Sequence, residues 1–88
     1  MREIPAVQEP VTEFARSRGW RARRMAYLGR RNCPDSWFFK GGEVIVVEFK
    51  NLDDEPNIGQ LREHARLREA GLKVYVIDNV SDGNALFE

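Results

Sequence analysis

Apolar residues first recur at helical spacing at Ile4, Val7, Val11, Phe14 and Ala15, which predicts a helix ending near Gly19. Pro10 falls inside that pattern, so the helix is expected to kink there or to begin in earnest at Pro10. From Trp20 to Leu28 the period drops to two. Trp20, Ala22, Ala26 and Leu28 share one phase and Met25 and Tyr27 the other, which reads as a strand. Gly29 to Pro34 reads as a turn. Two strand-like runs follow, 35–40 and 43–50, separated only by Gly41-Gly42, and a two-residue glycine link between such runs predicts a hairpin. After a polar, acidic loop at 51–56, Asn57 is placed to cap a helix whose third position is Gln60 and which runs through Leu61, Ala65 and Leu67 to Gly71. Residues 73–78 read as a short buried strand, and 81–87 as a final turn or helix. The predicted order is α-β-β-β-α-β. A last strand added after a crossover helix makes the sheet mixed, so the class is α/β, a central mixed sheet flanked by helices.

Eighty-eight residues make one domain near the small end of what folds alone. Neither a repeat nor a linker divides them, and a single domain over 1–88 is expected. The chain is 42% hydrophobic with a mean hydropathy of −0.54, which argues against a disordered tail. No apolar run approaches the roughly 20 residues of a membrane span, and the first residues lack a secretory signal's apolar stretch. One cysteine, Cys33, excludes an internal disulfide and a multi-cysteine zinc site. A small soluble domain of the cytoplasm is expected, without membrane association.

The net charge of zero conceals an asymmetry. Residues 1–31 carry eight Arg and three Glu, whereas residues 32–88 carry six basic and eleven acidic residues. Seven arginines and no acid lie between Arg16 and Arg31, and eleven of the fourteen basic residues are Arg. Arginine suits bidentate phosphate contacts. A basic stripe beside an acidic region fits a protein that grips phosphates and also holds cations; a solvated basic face explains the charge pattern as well. Arg21, Arg23, Arg24, Arg30 and Arg31 are the candidate phosphate contacts.

Counting outward from Gly41-Gly42 pairs Lys40 with Glu43, Phe39 with Val44, Trp37 with Val46, and Asp35 with Glu48. Directly opposed residues have Cβ atoms only about 4.5–5.5 Å apart. Two carboxylates that close destabilise the pair unless a cation lies between them or one keeps its proton. Lys50, two residues past Glu48, falls on the same face. Asp35 as a turn cap and Glu48–Lys50 as an exposed ion pair is the structural alternative. The hairpin register favours a metal site, and oxygen ligands with a nearby amine suit Mg²⁺ or Mn²⁺.

In order along the chain stand Arg30-Arg31-Asn32-Cys33-Pro34-Asp35, then Glu48-Phe49-Lys50, then Gln60. This series resembles the PD-(D/E)XK nuclease superfamily, and within it the virus-type replication–repair nuclease (VRR-Nuc) domain, especially its small stand-alone phage form. The likeness runs from about Val7 to Ala85 and takes in Gln60 to His64 and Val74 to Asp78, which look like that family's helix and last strand. It implies a restriction-endonuclease-like fold and divalent-metal phosphodiester cleavage, in the host cytoplasm if the chain is phage-encoded. By matching positions, Asp35 and Glu48 become metal ligands, with the Phe49 carbonyl a third, and Lys50 serves the attacking water or the charge developing on phosphate. Gln60 becomes an active-site helper. Relatives also place a glutamate on the first helix, for which Glu3 is the choice here; Glu9 and Glu13 read as a solvated helix face. For Gln60 the structural alternative is a capping box with Asn57. His64, one turn on, falls toward the site, though a lone helical histidine is more often structural. Two departures stand out. Asn32 occupies a usual glycine position, where Asn tolerates a left-handed backbone, and the loop after Lys50 is acidic where relatives tend to be basic or Gly-rich.

The resulting expectation is a metal-dependent, structure-selective DNA endonuclease; a non-catalytic DNA-binding module on the same fold and an enzyme of RNA or single strands are the rivals. Trp20, Trp37, Phe38 and Phe39 lie on strands apolar in both phases, which predicts a homodimer. A two-fold dimer with two sites suits four-way (Holliday) junctions, and the stand-alone phage relatives point the same way.

Overall fold

The computed structural model describes residues 5–51 and 54–88. Its elements are α1 (Pro5–Ser17), β1 (Arg21–Arg24), β2 (Ser36–Lys40), β3 (Glu43–Phe49), α2 (Ile58–Glu69), β4 (Lys73–Ile77) and α3 (Val80–Ala85). The strands stand side by side in chain order. β1–β2 and β2–β3 are antiparallel and β3–β4 is parallel, because α2 returns the chain to the end of the sheet where β3 began. The sheet is therefore mixed, as the pattern predicted. Among the described residues no helix is long and apolar enough to cross a membrane.

The hairpin turn has both glycines at positive φ, 56° at Gly41 and 85° at Gly42. That conformation matches the twist of the strands it joins and is open to glycine at little cost. It fixes the register: Lys40 lies opposite Glu43, Phe38 opposite Ile45 and Ser36 opposite Val47.

Alternation then separates two faces. Phe38, Ile45, Val47, Phe49 and Ile77 join Val11 and Ala15 of α1, Trp20, and Phe87 beyond α3 in one core. Phe87 is its centre, 4.6 Å from the Phe38 ring and 5.4 Å from that of Trp20. Val44, Val46, Glu48 and Lys50 belong to the opposite face, which α2 covers near Glu48. Pro10 lies within a continuous α1, where it costs one backbone hydrogen bond without ending the helix.

Two expectations need correction. The first strand stops at Arg24 instead of reaching Leu28. After Met25 N–H donates to the Asp35 carbonyl, the chain leaves the sheet, because Tyr27 and Arg30 are drawn to Glu63 on α2. Leu28, expected in phase with Trp20, is fully exposed. The second concerns the aromatic surplus. Trp20 and Phe38 are buried within this one chain, which leaves Trp37 and Phe39 of those four aromatics half-buried.

Candidate active site

Ser36 opposite Val47 puts Asp35 across from Glu48 one step further along the hairpin. The two sit at the end of the sheet away from the Gly-Gly turn. Glu48 is 4% exposed. Its carboxyl is pushed up to about 7, first by burial and then by the charge of Asp35, with Lys50 acting in the opposite sense. The register alone predicted that like-charge opposition, and the electrostatics of Glu48 carry its signature. Lys50 is half-buried, and its backbone N–H donates to the Ile77 carbonyl at 2.9 Å, anchoring it beyond the end of β3.

The α2 helix supplies the wall of the site. His64 is wholly buried, and its Nε2 lies 3.5 Å from Glu48 Oε1. Burial first, then the charges of Arg68 and Lys50, lower the affinity of the imidazole for a proton, so His64 is neutral near pH 7. Neither its ring nitrogens nor Glu48 Oε1 has a hydrogen-bond partner among the described residues. A buried carboxylate oxygen without a donor is costly. A hard divalent cation is the partner that such an oxygen suits best, so these residues fit a metal. Among the described residues no group of three His, Cys, Asp or Glu side chains is arranged to hold one. Asp35, just before β2, and Glu48, on β3, bring two carboxylates to this end of the sheet.

No protein-family model matches the chain. A solved structure described as a VRR_NUC domain is similar to it with a TM-score of 0.85, over 92% of this chain and 89% of its own, at 31% sequence identity. The chain belongs to the VRR_NUC family. It is also 35% identical over 75 residues to "Putative nuclease p44" of Acyrthosiphon pisum secondary endosymbiont phage 1, covering 84% of this chain and 81% of that protein. The VRR_NUC fold, in its phage-type form, is thus the one expected from the motif series.

The remaining motif positions of this VRR_NUC chain divide. Gln60 makes the capping box: its N–H donates to Asn57 Oδ1 at 2.8 Å, and its Oε1 accepts from the Asn57 N–H at 2.9 Å. The cap engages the amide oxygen of Gln60 and not its amide nitrogen. Asn32 adopts φ 71°, the left-handed turn that its position requires. Glu3 lies outside the described residues. Glu9 and Glu13 are exposed, and Glu13 pairs with Arg16 at 3.0 Å.

The five arginines do not form one stripe. Arg21 and Arg23 are opposite Phe39 and Trp37, on the Glu48 side of the sheet, while Arg24 is opposite Ser36 on the α1 side. Arg23 and Arg24 border a groove of about 360 Å³ between α1 and the edge strand, with Gln8, Thr12 and Arg16. Arg31 is exposed. Arg30 is also exposed, with one guanidinium nitrogen 3.4 Å from the buried Glu63.

Glu63 is the residue that sequence reasoning missed. It is 6% exposed and accepts from Tyr27 Oη at 2.5 Å and from Arg66 Nε at 3.1 Å. These donors and the arginine charges hold its carboxyl below the usual range, whereas the Tyr27 hydroxyl is pushed up by burial and by Glu63. A contact between residues 36 apart has no local sequence signal.

Proposed function

We propose that this VRR_NUC protein is a divalent-metal-dependent endonuclease that cuts DNA at branched structures and works as a homodimer. One observation carries the reading: a buried Glu48 with an unpartnered oxygen stands across a hairpin from Asp35, with Lys50 on the same face. The family likeness supports nuclease chemistry, and the name of the phage relative supports it again.

Asp35, Glu48 and the Phe49 carbonyl would hold Mg²⁺ or Mn²⁺. When bound, the ion polarises a phosphate oxygen and acidifies a water. Lys50 presents a cation to the same phosphate and stabilises the charge gathering on it in the transition state. Gln60 orients the attacking water or a phosphate oxygen through its amide nitrogen, and Glu3, which lies outside the described residues, is the proposed further acid of the set. His64 excludes bulk water from one side of Glu48. This low-polarity wall strengthens every charge interaction in the site. Arg21, Arg23, Arg24 and Arg31 contact backbone phosphates without reading sequence, and Arg30 shapes the loop that presents them.

Dimerisation rests on the half-buried Trp37 and Phe39, the part of the aromatic surface that the core does not consume. Two sites on a closed pair suit the two strands of a four-way junction. Incubation with four-way, flapped and linear DNA, with Mn²⁺ or EDTA, tests the reading. Cleavage of branched DNA only with Mn²⁺, and its loss in Asp35→Ala, is expected. Cleavage in EDTA, or by Asp35→Ala, would overturn the metal-site assignment.

A further inference from the structure

Tyr27 and Arg30 flank Leu28-Gly29, and both reach back to one buried carboxylate. Tyr27 Oη donates to Glu63 Oε2 at 2.5 Å, and Arg30 Nη2 lies 3.4 Å from Glu63 Oε1. The Arg30 guanidinium also sits over the Tyr27 ring, 5.9 Å from its centre. Glu63 is fixed in turn by Arg66 Nε at 3.1 Å. The two tip residues are therefore held at both ends, and Gly29 turns the chain toward Arg30 at φ 79°.

At this tip Leu28 is 102% exposed, more than any other large apolar side chain among the described residues. A single surface leucine ordinarily means nothing. A leucine on a tip braced by a buried carboxylate is different, because burying that carboxylate costs desolvation and holds the apolar side chain out in water. The chain around the tip is basic: Arg30 and Arg31 follow it, Arg31 exposed and Arg30 shared with Glu63, and no acid occurs in the sequence between Glu13 and Asp35. Two such tips facing each other would bring the exposed Arg31 side chains of both copies together, which disfavours the tip itself, as distinct from the Trp37–Phe39 face, as a contact between copies. Nucleic acid meets both demands, with phosphates for the arginines and a base step for the leucine. The tip also lies seven residues before Asp35, on the loop that leads into the proposed metal site.

We infer that Leu28 is an apolar wedge that inserts between bases at a branch point of DNA, held ready by the Glu63–Tyr27–Arg30 brace. The inference rests on the reading of this chain as a DNA endonuclease and adds the source of its structure selectivity. Burying a leucine gains about as much as opening a stacked base step costs. Insertion into regular duplex is therefore near balance, while a branch point, where stacking is already interrupted, favours it.

The test is binding in EDTA, without cleavage, to a four-way junction and to a linear duplex of equal length, each with 2-aminopurine at the branch point or its linear counterpart. Wild type is expected to raise junction fluorescence as the base unstacks. Leu28→Ser, a change at a fully exposed side chain that the fold tolerates, is expected to abolish the rise and lower the junction-to-duplex affinity ratio roughly tenfold. Tyr27→Phe, which keeps the ring and removes one arm of the brace, is expected to show a smaller effect of the same kind. An unchanged rise and ratio in Leu28→Ser would overturn the wedge. So would light scattering in which Leu28→Ser separates a dimer while the fluorescence rise persists, since that would assign the tip to a copy of this chain. Wild type that binds neither DNA, in EDTA or with Mn²⁺, would overturn the endonuclease reading itself, an outcome distinct from a mutant that merely matches wild type.

Discussion

Glu48 is under opposing demands. Burial and Asp35 raise its proton affinity, and Lys50 lowers it. A carboxyl held near 7 in the fold and near 4.5 in the unfolded chain keeps its proton longer when folded. Between those values the native state binds the extra proton, so its stability falls as pH rises. In EDTA, melts between pH 5 and pH 8 should therefore show wild type losing up to about 3 kcal/mol relative to Glu48→Gln, with Mn²⁺ restoring much of it at pH 8. Parallel pH profiles for the two proteins would mean that Glu48 is not strained by its neighbours. Lys50 answers a different question, because its ammonium repels a cation and serves the phosphate. Lys50→Ala should cut turnover by about 10²–10³-fold, as removal of one preorganised charge does, while calorimetric Mn²⁺ affinity stays near wild type. Near-normal turnover would remove Lys50 from the chemistry.

At the level of elements, the site depends on how tightly the helices close on the sheet. α3 meets α1 at Gly83, where an added Cβ would come within 2.6 Å of Val11 Cγ2 and 3.2 Å of Ile77 Cγ2. A β-branched valine has little freedom to give way. Gly83→Ala gains helix propensity yet should lower stability by ~1–2 kcal/mol through overpacking, read as a lower denaturant midpoint at unchanged m-value. Val11→Ala should cost less stability in the Gly83→Ala background than in wild type, and strictly additive losses would place the strain elsewhere. On the other side of the sheet, α2 is buried through Glu63 and His64 rather than through leucines. Its weakly apolar sequence is thus explained by partners that lie on the Tyr27 loop and on β3.

For the molecule as a whole, the charge asymmetry becomes a geometric one. Arg21 and Arg23 lie on the Glu48 side of the sheet, Arg24 on the other, and Arg30 is committed to Glu63. Charge reversal of Arg21 with Arg23 should flatten the salt dependence of DNA binding, equally for all sequences, by about one unit of slope for each phosphate that is no longer neutralised. Reversal at Arg30 should instead disturb the loop. Equal, unchanged slopes for both variants would make the arginines a solvated surface. Light scattering at micromolar concentration should give a dimer that Trp37→Ala or Phe39→Asp converts toward monomer, and a wild-type monomer with full junction cleavage would refute the paired-cut arrangement.

Much of this protein was legible without coordinates, and for a physical reason. Gly41-Gly42 admits a tight two-residue hairpin, that loop length fixes the pairing, and the pairing sets Asp35 against Glu48. Each step needs only neighbouring residues and the two-residue period of a strand. Asn57 and Gln60 capped α2 by the same local logic, and Asn32 took its left-handed turn. Tertiary structure decided what local rules leave open. The periodicity from Trp20 to Leu28 promised one long strand, but Glu63 on a distant helix pulls Tyr27 and Arg30 out of the sheet and leaves Leu28 on the outside. The same closure sealed Trp20 and Phe38 under Phe87 and set His64 against Glu48. Contacts between residues tens of positions apart leave no periodic trace in the chain, since they are chosen by which faces meet when the helices pack.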